Sequence, residues 1–175
     1  WRRFIDSLAG SRYNLLFLWS EHPFHMMFRL SKYPETCPYG DRELERYQEL
    51  YRFIFSHCRK RGITPWLITW NIRITPTVAR GLGLPAELGE MQDQYFFIYD
   101  KFNYRRNSIS ETYAVRQHLD LIKDYFKECI KTLLLTYREL GGIGTNCAEE
   151  MVGDQLTRQS WVKSVYTSAI EEAGR

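Results

Sequence analysis

Two adjacent carboxylates, Glu149 and Glu150, close the stretch Leu140-Gly141-Gly142-Ile143-Gly144-Thr145-Asn146-Cys147-Ala148-Glu149-Glu150-Met151. The stretch follows a long amphipathic segment, opens with glycines that can end a helix, and runs through small and β-capable residues. That is the pattern of a strand in a parallel α/β protein with acids at its carboxyl end, where such sheets and barrels collect catalytic groups. Side chains alternate along a strand, so Ile143, Thr145, Cys147 and Glu149 share one face and Glu150 takes the other. The two acids therefore do not flank a substrate as a pair, and at most one of them is a general acid.

Two more segments end in groups of the same kind. Trp19-Ser20-Glu21-His22 and Trp70-Asn71-Ile72-Arg73 each close an apolar run of strand length. If the three strands are parallel, their ends gather tryptophans, an asparagine, a histidine, an arginine and carboxylates. This is the inventory of a carbohydrate site. Indole faces stack on sugar rings, Asn and His bond hydroxyls, and Arg pairs with a sugar carboxylate. Glycoside hydrolysis needs one protonated carboxylic acid and a second carboxylate as base or nucleophile. Glu149 fits the acid, and the expected sugar contacts are Trp19, His22, Trp70, Asn71 and, more weakly, Arg73. No second carboxylate stands out, which places it on strands outside the chain.

Each residue also has a plain structural role to weigh against this. Glu149 can cap a following helix, both tryptophans can pack, and Asn71 can form a turn. His22 and His25 are three apart in a proline-containing loop with no third ligand, which argues against a metal. Gly142-x-Gly144 lacks the third glycine of a dinucleotide fingerprint. Cys147 has no base near it in sequence, so a catalytic thiol is not expected.

The elements that position these groups alternate. Trp1, Phe4, Ile5 and Leu8 recur at helical spacing up to Gly10. Asn14–Ser20 is a continuous apolar strand, followed by a long loop from Glu21 to Gly40. Asp41 caps a helix with the stripe Leu44, Tyr47, Tyr51, Ile54, Phe55 and Cys58, stopped by Gly62. Thr64–Ile72 is a second strand, with its proline near the start, where a missing donor is tolerated. A short helix is expected near Thr77–Gly81. Ser108-Ile109-Ser110-Glu111 reads as a capping box for one helix carrying Val115, Leu119, Ile122, Phe126, Cys129, Ile130, Leu133, Leu134 and Tyr137. The third strand, near 142–148, leads into a last helix with Leu156, Trp161, Val165, Tyr166, Ala169 and Ile170.

Helix-strand alternation implies βαβ units and parallel strands. Strands followed by long or polar loops, and helices that return through short ones, favour a barrel over a small open sheet. The expected class is α/β, with residues 1–175 forming about three consecutive parallel βα units of a TIM (β/α)₈ barrel. A whole barrel needs roughly 250 residues, so the rest lies outside this chain. Trp1 stands where an initiator methionine would, in keeping with a longer parent. Three strands alone should expose apolar edges and associate.

Composition bounds the alternatives. The chain has 12 Tyr, 10 Phe and 5 Trp among 175 residues, enough to fill a core and to supply sugar platforms. The 24 basic and 21 acidic residues are interspersed, without the dense basic stripe of a nucleic-acid surface. No apolar run is long enough to span a membrane, and no signal peptide is visible. Cys37, Cys58, Cys129 and Cys147 form no Cys-x-x-Cys pair and no disulfide framework; Cys58 and Cys129 on helix stripes and Cys147 on a strand read as buried thiols.

The segments Trp1-Arg-Arg-Phe-Ile-Asp6, Arg12-Tyr-Asn-Leu-Leu-Phe-Leu-Trp-Ser-Glu-His-Pro-Phe24, Gly62-Ile-Thr-Pro-Trp-Leu-Ile-Thr-Trp-Asn-Ile72 and Leu140–Met151 resemble a glycoside hydrolase clan. Within it they are similar to the α-glucuronidase-like and β-hexosaminidase-like barrels of bacterial polysaccharide-degrading systems. The resemblance covers most of the chain, but only about the second to fourth barrel strands. It implies a hydrolase of polysaccharide or oligosaccharide, with an acidic or decorated sugar as substrate and no cofactor. A periplasmic or secreted setting is implied too. The general acid would be the glutamate after the fourth strand. Relatives carry a Gly-Glu-Asn-Met-like sequence where this chain has Ala148-Glu149-Glu150-Met151, which puts the acid on Glu149. The hexosaminidase-like alignment instead makes Glu150 the acid and Glu149 the residue that orients the substrate. A non-catalytic carbohydrate-binding barrel and a small open-sheet interaction module are the alternatives.

Overall fold

A computed structural model describes residues 1–70, 72–89, 109–147 and 151–175. Three strands, β1 (Leu15–Ser20), β2 (Thr64–Trp70) and β3 (Gly142–Asn146), form one sheet in the order β1-β2-β3. Both pairings are parallel, with Phe17 beside Trp66 beside Gly142 and Trp19 beside Ile68 beside Gly144. The chain is therefore α/β, with a three-stranded parallel sheet.

The helices are α1 (Arg2–Gly10), α2 (Phe24–Met27), α3 (Asp41–Lys60), α4 (Pro76–Gly81), α5 (Ile109–His118), α6 (Asp120–Thr136), α7 (Gln155–Val162) and α8 (Ser168–Glu172). A π-helical turn, Lys163–Thr167, joins α7 to α8. The apolar stripes of α3 and α6 meet β2 in one core in which Ile54, Phe55, Cys58, Leu67, Phe126, Cys129, Ile130 and Leu133 are buried. Gly62 ends the turn after α3 at a positive φ of 74°, a backbone shape that favours glycine.

The two sheet faces differ. Leu18, Leu67 and Ile143 stand in one row and Ser20, Thr69 and Thr145 in the next, toward the helices. Buried Thr69 shares a 2.9 Å hydrogen bond with the hydroxyl of Tyr166. On the opposite face Leu15, Phe17 and Trp19 are exposed, beside half-buried Trp66 and Ile68. Phe17 meets Trp66 edge-on at 6.0 Å. Gly142 gives the Trp66 indole room, since a Cβ there would lie 2.8 Å from the ring.

Several local expectations change. The segment after β1 is not a plain loop: it folds α2 and a 3₁₀ turn (Pro34–Thr36) and buries Phe24, Met26, Met27, Phe28 and Leu30. Gly40, not Asp41, is the cap residue of α3, and the Asp41 carboxylate pairs with Arg29 instead. The single helix expected across 108–137 is two, broken at Leu119, whose ψ of 118° is extended. Val115 is exposed, so the apolar stripe begins after the break. Ser108 lies outside the described residues. Leu156, expected on the buried stripe of the last helix, is exposed, while Trp161, Val165 and Tyr166 are buried. Asp154 supplies the cap there, accepting from the Thr157 amide at 2.8 Å.

Candidate functional site

Parallel register brings the carboxyl ends of β1, β2 and β3 level. The Trp70 amide donates to the Glu21 carbonyl at 3.2 Å, just past the last paired residues Ser20 and Thr69, and Trp70 lies beside Asn146. Glu21 and Asn146 thus flank Trp70 at the strand ends. Glu149, Glu150 and Asn71 lie outside the described residues, so nothing is stated of their geometry.

Trp19 is 61% exposed and meets Trp70 at 5.8 Å with a 55° tilt. It is the open aromatic surface of the group. Trp70 is not open. It is 9% exposed, and the Arg73 guanidinium sits over its ring at 4.0 Å. A cation on an indole face is held by the ring quadrupole, so this face is already occupied. Arg73 in turn donates from Nη1 to the Glu21 carboxylate at 3.0 Å and is 7% exposed. An arginine held on one side by an indole and on another by a carboxylate is a poor receptor for a sugar carboxylate. Glu21 completes this arrangement; the sequence marks it only by its place among the strand-end groups and assigns it no contact.

His22, expected among the sugar contacts, lies in the core rather than on the surface. It is 2% exposed, stacked on Tyr125 at 5.8 Å and edge-on to Phe24 at 5.4 Å. Its Nδ1 is 3.0 Å from the Nδ1 of His25, and its Nε2 is 3.1 Å from the Tyr125 hydroxyl. A close Nδ1–Nδ1 contact needs one ring to carry that proton and the other to accept it, so the contact holds one shared proton. Burial first, and the neighbouring His25 second, push the His22 pKa well below its ordinary value. His22 is thereby held neutral, and the two rings pack and hydrogen-bond within the core. The reason is α2, which turns the chain inward directly after β1.

Cys58 and Cys129 are buried thiols, and burial raises both pKa values. Cys147, expected as a buried thiol on the strand, is instead half-buried just past the end of β3. Among the described residues, no three His, Cys, Asp or Glu side chains are grouped to hold a metal ion. No described helix is long and apolar enough to cross a membrane.

No family model and no curated protein matches the chain. Among solved structures the chain is similar to a GH138 enzyme targeting pectin rhamnogalacturonan II, at a TM-score of 0.71 and 21% sequence identity. The match covers 100% of this chain and 18% of that enzyme, so the chain spans under a fifth of its neighbour's length. At this identity the likeness establishes a shared fold alone: the chain folds like a segment of that structure.

Proposed function

We propose that the chain is about three consecutive βα units of a (β/α)₈ glycoside hydrolase acting on a polysaccharide or oligosaccharide. The observation that carries the reading is the one-sided sheet. Its three strand ends are level, helices cover one face, and Trp19 stands open on the other beside the Glu21–Arg73–Trp70 cluster. The fold shared with a GH138 enzyme targeting pectin rhamnogalacturonan II supports it. An acidic or decorated sugar as substrate rests on the sequence resemblance and on that neighbour's printed target. The α-glucuronidase-like or β-hexosaminidase-like branch rests on the sequence resemblance alone.

In this reading Glu149 protonates the glycosidic oxygen, and Trp19 stacks on the sugar. Asn71 bonds a sugar hydroxyl, and Trp70 and Arg73 shape the floor of the subsite. The base or nucleophile comes from strands beyond the chain. Hydrolysis by a carboxylate pair requires no cofactor.

The test compares the full-length parent with Glu149→Gln and Glu150→Gln on aryl glycosides, aryl uronides included. Loss of the general acid should lower kcat by about 10²–10⁴-fold while sugar binding persists. An effect confined to Glu150→Gln would move the acid by one residue. A wild-type parent that binds sugars and cleaves none would leave the carbohydrate-binding barrel as the better reading.

A further inference from the structure

The Glu21–Arg73–Trp70 cluster assigns charge at the strand ends differently from the sequence. Arg73 lies three residues beyond Trp70 and folds back over its ring at 4.0 Å, which leaves it 7% exposed. Its Nη1 donates to Glu21 Oε2 at 3.0 Å. The Glu21 side chain keeps 34% of its surface exposed, against 9% for the arginine side chain. The Glu21 carbonyl accepts from the Trp70 amide at 3.2 Å, which fixes the backbone from which the carboxylate projects. The carboxylate is therefore the outer member of the pair and the guanidinium the inner one.

We infer that Glu21 is a specificity-determining residue that accepts hydrogen bonds from sugar hydroxyls and keeps a sugar carboxylate out of this subsite. An ionised carboxylate is acceptor-only with about four lone-pair positions, so one oxygen bonded to arginine leaves capacity for hydroxyl donors. Charge assistance makes those bonds stronger than neutral ones. A sugar carboxylate arriving at the same place meets a like charge and must displace Glu21 to reach Arg73, which is selection by repulsion. Trp19, 61% exposed and 5.8 Å from Trp70, offers the apolar face on which such a sugar rests. Arg73 is then a positioning residue that fixes the Glu21 carboxylate. An acidic group on the substrate is read elsewhere. This inference rests on the proposal that the strand ends form a sugar subsite.

The test is calorimetric binding to the full-length parent of two matched ligand pairs, the methyl glycosides of galactose and galacturonate and of glucose and glucuronate. Glu21→Gln removes the charge and keeps the shape. It should weaken the neutral sugar several-fold and shift the neutral-to-uronate affinity ratio about tenfold toward the uronate, as removal of a repulsive charge predicts. Glu21→Asp retains the charge, so its ratio should stay near wild type while the shorter side chain weakens both ligands. That second variant carries the test if Glu21→Gln does not fold. An unchanged ratio in Glu21→Gln, or unchanged affinities in Glu21→Asp, overturns the role of Glu21 and leaves the hydrolase reading standing. A wild-type parent that binds none of the four glycosides overturns the sugar subsite itself.

Discussion

Replacing Gly142 by alanine tests whether the exposed sheet face is a built surface. A Cβ at Gly142 would lie 2.8 Å from Cζ2 of Trp66 and 2.9 Å from its Cε2 and Cη2. Carbon pairs rest at about 3.5–4.0 Å, so the overlap is roughly 0.6–1.2 Å against three ring atoms at once. Phe17 stands on the other flank of the indole at 6.0 Å, so the ring cannot move aside without meeting it. Overpacking of this kind costs about 1–3 kcal/mol, offset by about 0.5–1 kcal/mol from the lost flexibility of glycine in the unfolded chain. The midpoints of these ranges leave a net loss of about 1 kcal/mol, or about 2–4 °C in Tm for a domain of this size. Urea unfolding followed by tryptophan fluorescence, at several protein concentrations to expose association, reads it directly. Trp66→Leu should make Gly142→Ala nearly neutral, a coupling of about 1 kcal/mol. Gly10 has nothing within 4 Å of its Cβ position, so Gly10→Ala in α1 should stabilise. Gly142→Ala as harmless as Gly10→Ala would refute the argument that Trp66 packs on the glycine strand.

The buried histidine pair should make stability depend on pH with a fixed sign. The folded His22 pKa is depressed, so the unfolded chain binds more protons once pH falls below the free value of about 6.5. Stability should be full above that value and decline as pH drops toward the folded pKa. His22→Gln should flatten the slope of the urea midpoint below pH 6.5, and an unchanged slope would assign it to other groups. Tyr137 is fully buried and donates to the Met27 carbonyl at 2.8 Å, fastening α2 to the end of α6. Tyr137→Phe should cost about 1 kcal/mol by urea unfolding. No loss would mean that this bond does not hold α2 in place.

What the sequence disclosed follows from range. The three strands were legible because apolar runs of strand length are local, and so were the stripes of α3 and α6. The break at Leu119 was not, since apolar spacing on both sides continues the helical period across one extended residue. The segment from Glu21 to Leu30 misled because prolines and histidines read as loop, whereas α2 carries four buried side chains into the core. At the site, Trp19 and Trp70 could be named from their places at strand ends. Their exposures could not, because those depend on Arg73 returning over Trp70. The pairing of Glu21 with Arg73 spans 52 residues and arises only from the β1–β2 register. Long-range electrostatics of that kind leaves no trace in spacing.

The open face bears on the architecture proposed for the parent. Parallel sheets occur almost only with both faces covered. A doubly wound sheet covers them with two layers of helices, and then both strand faces meet helical side chains. A barrel covers the inner face with side chains from its other strands, stacked in layers. Here Leu67 and Thr69 meet the helical layer and are fully buried, while Leu15, Phe17 and Trp19 form a row of large apolar side chains that the described helices leave exposed. Trp66 and Ile68 lie over Gly142 and Gly144, an alternation of large and small residues across neighbouring strands that suits a filled interior. Helices on this face would also cover Trp19 and close the strand-end corner to a sugar. Opposing strands would cover the lower rows and leave the mouth, where Glu21 and Trp19 stand, open to ligand. The same feature that makes three strands an incomplete core is therefore what favours a barrel over an open sheet.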